Sequence, residues 1–151
     1  HHFGTPVVGG VGRHADVLHT YRTLEEARES LVIARRMYGG GRVMPYEQLG
    51  MYPLLYRGAN KDEFAEFAGR ILAPLRAYDE KHQTELMRTL QLYFEVGQNV
   101  KTASERLSVH RHTVFYRLRQ INDIAGVDLD NAHDQLTLRT AMAIHALNDE
   151  R

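Results

Sequence analysis

The stretch that decides the fold runs from Asn99 to Ile121, NVKTASERLSVHRHTVFYRLRQI. Its first part predicts a short helix, because Val100, Ala103 and Leu107 recur at the spacing of one buried helical face. The next three residues, Ser108-Val109-His110, are too few and too polar for anything but a turn. The second part predicts another amphipathic helix, whose inward stripe at i, i+4 and i+7 is Val114, Leu118 and Ile121.

Polar side chains dominate the outer face of this second helix. At about 100° per residue, His112, Tyr116 and Arg119 lie opposite the apolar stripe, with Thr113 and Gln120 beside them. A short amphipathic helix that carries hydrogen-bonding groups and packs on an equally short partner suits insertion into a DNA major groove. The pattern therefore indicates a nucleic-acid-binding element.

Charge is distributed unevenly along a chain that is neutral as a whole, with 19 basic and 19 acidic residues. Residues 99–121 contain five basic side chains against Glu105 alone, a balance of +4, which leaves 14 basic and 18 acidic residues elsewhere. Arginines scattered on a helix usually mark a solvated face. Here they coincide with the two-helix spacing, which favours DNA binding.

The composition of the 151 residues is that of an ordinary globular protein, with 43% hydrophobic and 25% charged residues. No apolar run reaches the roughly 18 residues of a membrane span, so we expect no membrane partner. The chain has no cysteine, which excludes disulfides and thiolate ligands and fits a cytoplasmic location. The start at His1-His2 suggests a fragment of a longer chain, or a tag remnant.

Motifs for catalysis, metal binding or phosphate binding are missing from the sequence. The nine histidines form no His-x-x-x-His pair, and His110 and His112 point to different sides of a helix. No Gly-x-Ser-x-Gly elbow occurs. The glycines of 3–12, FGTPVVGGVG, lack the Lys-Ser/Thr of a P-loop and the dinucleotide-binding spacing. We therefore expect no enzyme, no cofactor and no metal.

The N-terminal part predicts a small α/β segment. Val7-Val8 predicts a strand, followed by glycines that permit unusual backbone angles or close packing. Thr23 and Glu26 form a capping-box pattern that predicts a helix to about Tyr38, ended by Gly39-Gly40-Gly41. A second strand at Arg42-Val43-Met44 and a broken helix around Pro53 follow. The predicted inward residues of the first helix are Leu24, Ala27, Leu31 and Ala34.

Further helices are predicted on both sides of the opening stretch. One begins at Asn60 and should end or kink near Pro74, and another covers about 84–96. The last covers about 134–147, with an inward side made of Leu136, Thr140, Ala143, Ile144 and Leu147. The fold class is therefore mainly α: a helical helix-turn-helix domain preceded by a small α/β remnant with one or two short strands.

Two groups of residues resemble a known protein family. The downstream group resembles the C-terminal helix-turn-helix domain of PucR/CdaR-type bacterial transcriptional regulators, itself similar to the DNA-binding domain of Fis. Its residues are Tyr78-Asp79, Glu85-Leu86, Thr89-Leu90, Ala103, Leu107-Ser108-Val109-His110-Arg111-His112-Thr113-Val114, Tyr116-Arg117-Leu118 and Ile121. The upstream group resembles the end of the degenerate GGDEF-like domain that precedes it in this family. Its residues are Gly10-Val11-Gly12-Arg13, Glu26-Ala27, Leu31, Ala34 and Tyr46-Glu47-Gln48-Leu49-Gly50.

The resemblance implies a domain organisation and a function. Residues 1–58 would be the C-terminal part of the GGDEF-like domain, without cyclase activity, and residues 59–151 the helical DNA-binding domain with its helix-turn-helix at 99–121. It implies sequence-specific binding of double-stranded DNA by a homodimer, at an operator with two-fold symmetry. It also implies that a small-molecule effector is sensed by an upstream domain absent from this chain.

The implied contacts fall into two sets around a recognition helix at residues 111–124, whose N-terminal end enters the groove first. Arg111 is the best candidate for a bidentate contact to guanine, whose two acceptors match its fork. The residues expected to contact bases are His110, Arg111, His112, Thr113 and Tyr116. Those expected to hold phosphates are Asn99, Lys101, Thr102, Arg117 and Arg119.

Several alternatives stay open from the sequence alone. Tyr116 could be a packing residue with a solvated hydroxyl, and Arg117 could pair with an acidic neighbour. Phe115 occupies a position that is often basic or polar in the family because it faces the DNA backbone, so its ring could instead pack against a neighbouring helix or subunit. The whole chain could also be a dimerisation or protein-interaction fragment with weak or no DNA binding, which would show no salt dependence.

Overall fold

The computed structural model describes residues 7–14, 17–39, 41–58 and 60–148. Within these ranges the chain is mainly helical with one two-stranded sheet, which confirms the predicted fold class. The chain divides into two compact units, residues 1–61 with 143–151, and residues 62–142. The assignment of 1–58 and 59–151 as domains stays a prediction. His1-His2 and Gly40, named above, lie outside the described residues.

Two short parallel strands form the sheet of the first unit. Strand β1 spans Gly9–Val11 and strand β2 spans Val43–Pro45, with Gly10 opposite Met44. The second strand confirms its prediction. The first lies two residues beyond the predicted Val7-Val8, within the glycines themselves.

The glycines around β1 allow a close approach to the helix that follows, α1 (Thr20–Tyr38). A Cβ atom on Gly10 would lie 2.1 Å from the carbonyl oxygen of Ala27, and one on Gly12 would lie 2.0 Å from that of Thr23. No side chain tolerates such distances, so only glycine lets this segment lie against the helix backbone. The predicted use of these glycines for close packing is confirmed, and it explains why the strand falls on them.

Helix α1 begins at Thr20, after a 3-10 turn at Val17–His19, rather than at the predicted Thr23. The predicted capping box is wrong. The Glu26 carboxylate instead accepts hydrogen bonds from the backbone N–H and the guanidinium of Arg13, thirteen residues upstream. A tertiary partner therefore replaces the local one.

The buried face of α1 is rotated from the predicted one. Leu24 and Leu31 are exposed, whereas Glu26 and Glu29 are buried. Arg57 donates from Nε to Oε1 of Glu29 at 2.7 Å. The carboxylate of Glu26 is paired with Arg13, as described above. Buried carboxylates are tolerated where such partners exist, so polarity alone does not identify the inward face.

The first unit has its own apolar core, completed by a broken helix. A 3-10 turn at Tyr46–Leu49 and helix α2 (Tyr52–Arg57) confirm the predicted break. It falls at Gly50, which has a φ of 56°, whereas Pro53 lies in the first turn of α2, where proline is tolerated. The buried core residues are Ile33, Ala34, Met44, Leu49 and Leu147.

Longer helices make up the rest of the described chain. They are α3 (Lys61–His82), α4 (Leu86–Glu95), α5 (Val100–Leu107), α6 (Arg111–Ala125) and α7 (Ala132–Asn148). Helix α3 does not end near Pro74 but continues to His82, so the prediction of an end there is wrong. None of the helices within the described ranges combines the length and apolar character that a membrane crossing requires.

Helices α4, α5 and α6 pack against one another in the second unit. The predicted stripes are buried: Ala103 and Leu107 on α5, and Val114, Leu118 and Ile121 on α6. On α4 the buried residues are Leu86, Thr89, Leu90 and Phe94. Three short helices with continuous apolar stripes therefore form the support of the predicted DNA-binding element.

Helix α7 confirms its predicted inward side in part, since Ala143, Ile144 and Leu147 are buried, but it begins earlier than predicted and differs at Leu136. It begins at Ala132 because Asn131 Oδ1 accepts from the backbone N–H groups of His133 and Asp134. Leu136, predicted to face inward, is 58% exposed, whereas Leu138 is fully buried. Apolar residues occur on both sides of this helix, so their spacing alone leaves its inward face undetermined.

Candidate nucleic-acid interface

The turn between α5 and α6 has the geometry of a helix-turn-helix. Ser108 adopts the left-handed conformation with a φ of 55°, and its N–H donates to the carbonyl oxygen of Glu105 at 3.2 Å. The N–H of the next residue, Val109, donates to the carbonyl oxygen of Ser104 at 3.0 Å, which completes a Schellman cap. The predicted turn at Ser108–His110 is therefore confirmed.

Side chains close to the turn cap both helices. Asn99 Oδ1 accepts from the Thr102 N–H at 3.0 Å and so caps the start of α5. At the start of α6, His110 Nδ1 accepts from the His112 N–H at 3.4 Å, and the two imidazole rings stack with centroids 5.2 Å apart. A contact from Asn99 to a phosphate would therefore have to come from its side-chain NH2 group, because the oxygen is used in the cap.

The burial of α6 fixes which of its side chains can reach a ligand. Val114, Leu118 and Ile121 are buried, which orients the opposite side of the helix outward. Arg111, His112, Tyr116 and Arg119 are exposed, and Thr113 is half-buried. Tyr116 is 63% exposed, so the alternative that it is a packing residue does not fit the described chain. Lys101, on α5, is exposed as well.

Arg117 is placed differently from the other predicted phosphate contacts. Its guanidinium donates to Thr89 Oγ1 at 3.0 Å and to Glu85 Oε2 at 3.3 Å, and its side chain is only 16% exposed. The pKa of Glu85 is lowered, mainly by its hydrogen bond from Arg88 and to a smaller extent by the one from Arg117. The geometry fits the alternative in which Arg117 pairs with an acidic neighbour and thereby holds α6 against α4.

Two further side chains position the helices, and sequence reasoning had given neither a role. Asp79, near the end of α3, accepts from the backbone N–H groups of Leu86 and Met87 at 2.7 and 2.9 Å, so it caps α4 from outside. Gln120 Nε2 donates to the hydroxyl of Tyr78 at 2.8 Å. Because these partners lie seven or more residues apart in the chain, local capping patterns could not indicate them.

The exposed charge of the helix-turn-helix remains basic after Arg117 is set aside. The four basic side chains that are exposed are Lys101, Arg106, Arg111 and Arg119, against one exposed acidic residue, Glu105. Phe115 is 57% exposed on the same helix, so its ring is not enclosed by the neighbouring helices of the described chain. No group of three or more His, Cys, Asp or Glu side chains in the described ranges could hold a metal ion.

Comparison with known proteins gives consistent results. A family model described as the PucR C-terminal helix-turn-helix domain matches residues 86–144, which include α4, α5 and α6. The proline-responsive transcriptional activator PutR of Bacillus subtilis is 35% identical over 130 residues, covering 84% of this chain and 31% of PutR. The carbohydrate diacid regulator of Escherichia coli is 32% identical over 135 residues, covering 89% of this chain and 33% of that protein.

A third relative is also a transcriptional activator. The DNA-binding transcriptional activator AdeR of Bacillus subtilis is 36% identical over 93 residues, covering 62% of this chain and 22% of AdeR. The chain thus spans a third or less of the length of these relatives. The chain belongs to the PucR/CdaR-type family of transcriptional regulators, and residues 86–144 are its C-terminal helix-turn-helix domain.

Proposed function

We propose that this chain is the part of a transcriptional regulator that binds DNA in a sequence-specific manner, with α6 as the recognition helix in the major groove. One observation carries the proposal: α6 buries Val114, Leu118 and Ile121 while its opposite side exposes hydrogen-bonding and basic side chains. The family match and the DNA-binding activator AdeR among the relatives support the same function.

The proposed contacts follow the exposure of the side chains. Arg111 lies in the first turn of α6 and is exposed, so its fork can reach the O6 and N7 acceptors of a guanine. His110, His112, Thr113 and Tyr116 complete the proposed set of base contacts. Phosphates would be held by Lys101, Arg119, Thr102 and the amide of Asn99, without reading sequence. Arg117 is left out of this set because its guanidinium is engaged by Glu85 and Thr89.

We further propose that the protein binds as a homodimer to an operator with two-fold symmetry, as the family resemblance implies. The parallel β1–α1–β2 arrangement fits the proposal that residues 1–58 are the end of a GGDEF-like domain. An effector would then be sensed outside this chain. No enzymatic step is part of the proposed function.

The test is selection of bound sequences from a random duplex pool, followed by titration of the selected duplex at several salt concentrations. If about four phosphates are neutralised, the slope of log affinity against log salt should be near −4, from roughly −0.9 per contact. Binding no tighter than to random DNA, with no salt slope, would contradict the proposal.

Variants separate base contacts from phosphate contacts. Arg111→Ala should weaken binding to the selected duplex by about 1–3 kcal/mol and relax the base preference at one position per half-site. Lys101→Ala should weaken binding to all duplexes alike and reduce the salt slope by about one. Arg70→Ala, an exposed arginine on α3, removes the same charge outside the helix-turn-helix and should change neither quantity.

The alternative function, a dimerisation or protein-interaction fragment with weak or no DNA binding, has one observation in its favour. Val17, in the 3-10 turn before α1, and Tyr21 and Leu24, in the first turns of α1, are exposed large apolar side chains. Exposed apolar side chains that cluster in one segment are typical of sites that bind another protein. Sedimentation would show self-association for this alternative, and the DNA titration above would show no specific binding.

A further inference from the structure

Helix α6 carries an exposed apolar ring on a helix that otherwise exposes polar side chains. Phe115 is 57% exposed, and it follows directly after the buried Val114. At about 100° per residue it lies on the side of the helix, between the apolar stripe and the outermost side chains. A residue in this position lies beside the side chains that face the floor of a groove, at the side of the row of base edges.

The neighbours of this ring along the helix are both basic. Arg111 and Arg119 lie four residues before and after Phe115, so the three side chains form one i, i+4, i+8 row. Both arginines are exposed. The ring is therefore an apolar point between two cationic side chains.

This charge pattern decides between two kinds of molecule that could cover the ring. In a two-fold contact between copies, the same patch meets itself, which would bring the arginines of both copies together. Like charges at an interface are repulsive. Duplex DNA supplies guanine acceptors and phosphates for the arginines. In its major groove the only apolar group on a base edge is the 5-methyl group of thymine.

We propose that Phe115 determines sequence specificity by packing on the methyl group of one thymine in each half-site. The inference rests on the proposed function and adds the identity of a base that polar contacts alone would not select. Thymine carries its methyl group beside its O4 acceptor on the major-groove edge, whereas cytosine presents an amino group and no methyl. A residue at the side of a groove-bound helix can reach it while Arg111 contacts a guanine.

The test replaces each thymine of the selected duplex, one at a time, by deoxyuridine, which removes the methyl group and keeps the hydrogen-bonding groups. We expect one position per half-site at which the change lowers affinity about three- to tenfold, the effect of losing one apolar methyl contact. In the Phe115→Ala variant, the deoxyuridine substitution at that position should alter affinity less than about twofold. Phe115→Leu keeps an apolar side chain and should keep most of the sensitivity.

The control is Leu136→Ala, since Leu136 is an equally exposed apolar residue on another helix, α7. It should retain the full deoxyuridine effect. If Phe115→Ala remains as sensitive to deoxyuridine as the unchanged protein, the inference is overturned, while the salt slope and the Arg111→Ala result still stand for DNA binding. If Phe115→Ala instead weakens self-association and lowers affinity for all duplexes alike, the ring belongs to a contact between copies, which also overturns it.

Discussion

Glu26 is a carboxylate held almost completely out of water, with 3% of its surface exposed. Hydrogen bonds from Arg13, more than any other cause, lower its pKa to about 2, although burial acts in the opposite direction. The ordinary value of 4.5 applies to the unfolded chain. Because the folded value is the lower one, the ionised carboxylate stabilises the fold above about pH 4.5, and this contribution is lost as the pH falls towards 2.

Glu26→Gln should therefore lower the free energy of unfolding at pH 7 by about 1–3 kcal/mol, since a charge-assisted hydrogen bond is lost. The difference from the unchanged protein should shrink between pH 4.5 and pH 2. Urea unfolding at a series of pH values measures both effects. Glu25→Gln is the matched control, because Glu25 is exposed and its pair with Arg28 should contribute little. A difference that does not depend on pH would contradict the assigned cause.

Single residues also show where sequence patterns were insufficient. Val114, Leu118 and Ile121 were predicted correctly because their burial follows from helical spacing alone. The capping role of Glu26 was wrong because the side chain has a partner thirteen residues away. For Arg117 the spacing placed the side chain near the core but could not identify its partners, which lie about thirty residues upstream on and beside α4.

At the scale of elements, the end of α6 depends on one glycine. Gly126 adopts the left-handed conformation with a φ of 64°, and a Cβ atom there would meet nothing within 4 Å. Gly126→Ala should therefore destabilise the protein by about 1 kcal/mol through backbone conformation alone. The matched control is Gly69→Ala, at an exposed position inside α3 with the same open surroundings, which should stabilise by about 0.5–1 kcal/mol.

Thermal or urea unfolding of the two variants compares the same chemical change in opposite backbone contexts. Opposite signs are expected, because alanine favours the helical conformation and disfavours the left-handed one. If both substitutions changed stability in the same direction, the backbone explanation would be wrong.

Element boundaries were predicted best where a local signal decides them. Gly39 follows the last residue of α1 as expected, because capping depends on neighbouring residues, and Asn99 and Gly126 cap α5 and α6 by the same local rule. Orientation was predicted less well for α1, whose inward face carries paired carboxylates, and for α7, which has apolar residues on two sides. In both cases the inward face is chosen by tertiary packing, about which periodicity contains no information.

At the scale of the whole molecule, the formal net charge is zero, yet the exposed face of the helix-turn-helix is basic. With no net charge, we expect the long-range attraction of the protein to DNA to be weak. The uneven distribution of charge would orient the protein with its basic helix-turn-helix face towards the DNA. One helix-turn-helix presents a single recognition helix to a single stretch of groove. High specificity then depends on two copies that bind together, as in the proposed homodimer.

The spacing of the two half-sites tests this dimer directly. In a two-fold complex both recognition helices enter the major groove on one side of the DNA, about 34 Å or one helical turn apart. Inserting about 5 base pairs between the half-sites turns the second one to the opposite side. Affinity should then fall to that of a duplex with one half-site.

Fluorescence anisotropy with the selected, the lengthened and the single half-site duplexes measures this loss of affinity. Equal affinity for all three would mean that the protein binds as a monomer, and the proposal of a homodimer would be wrong.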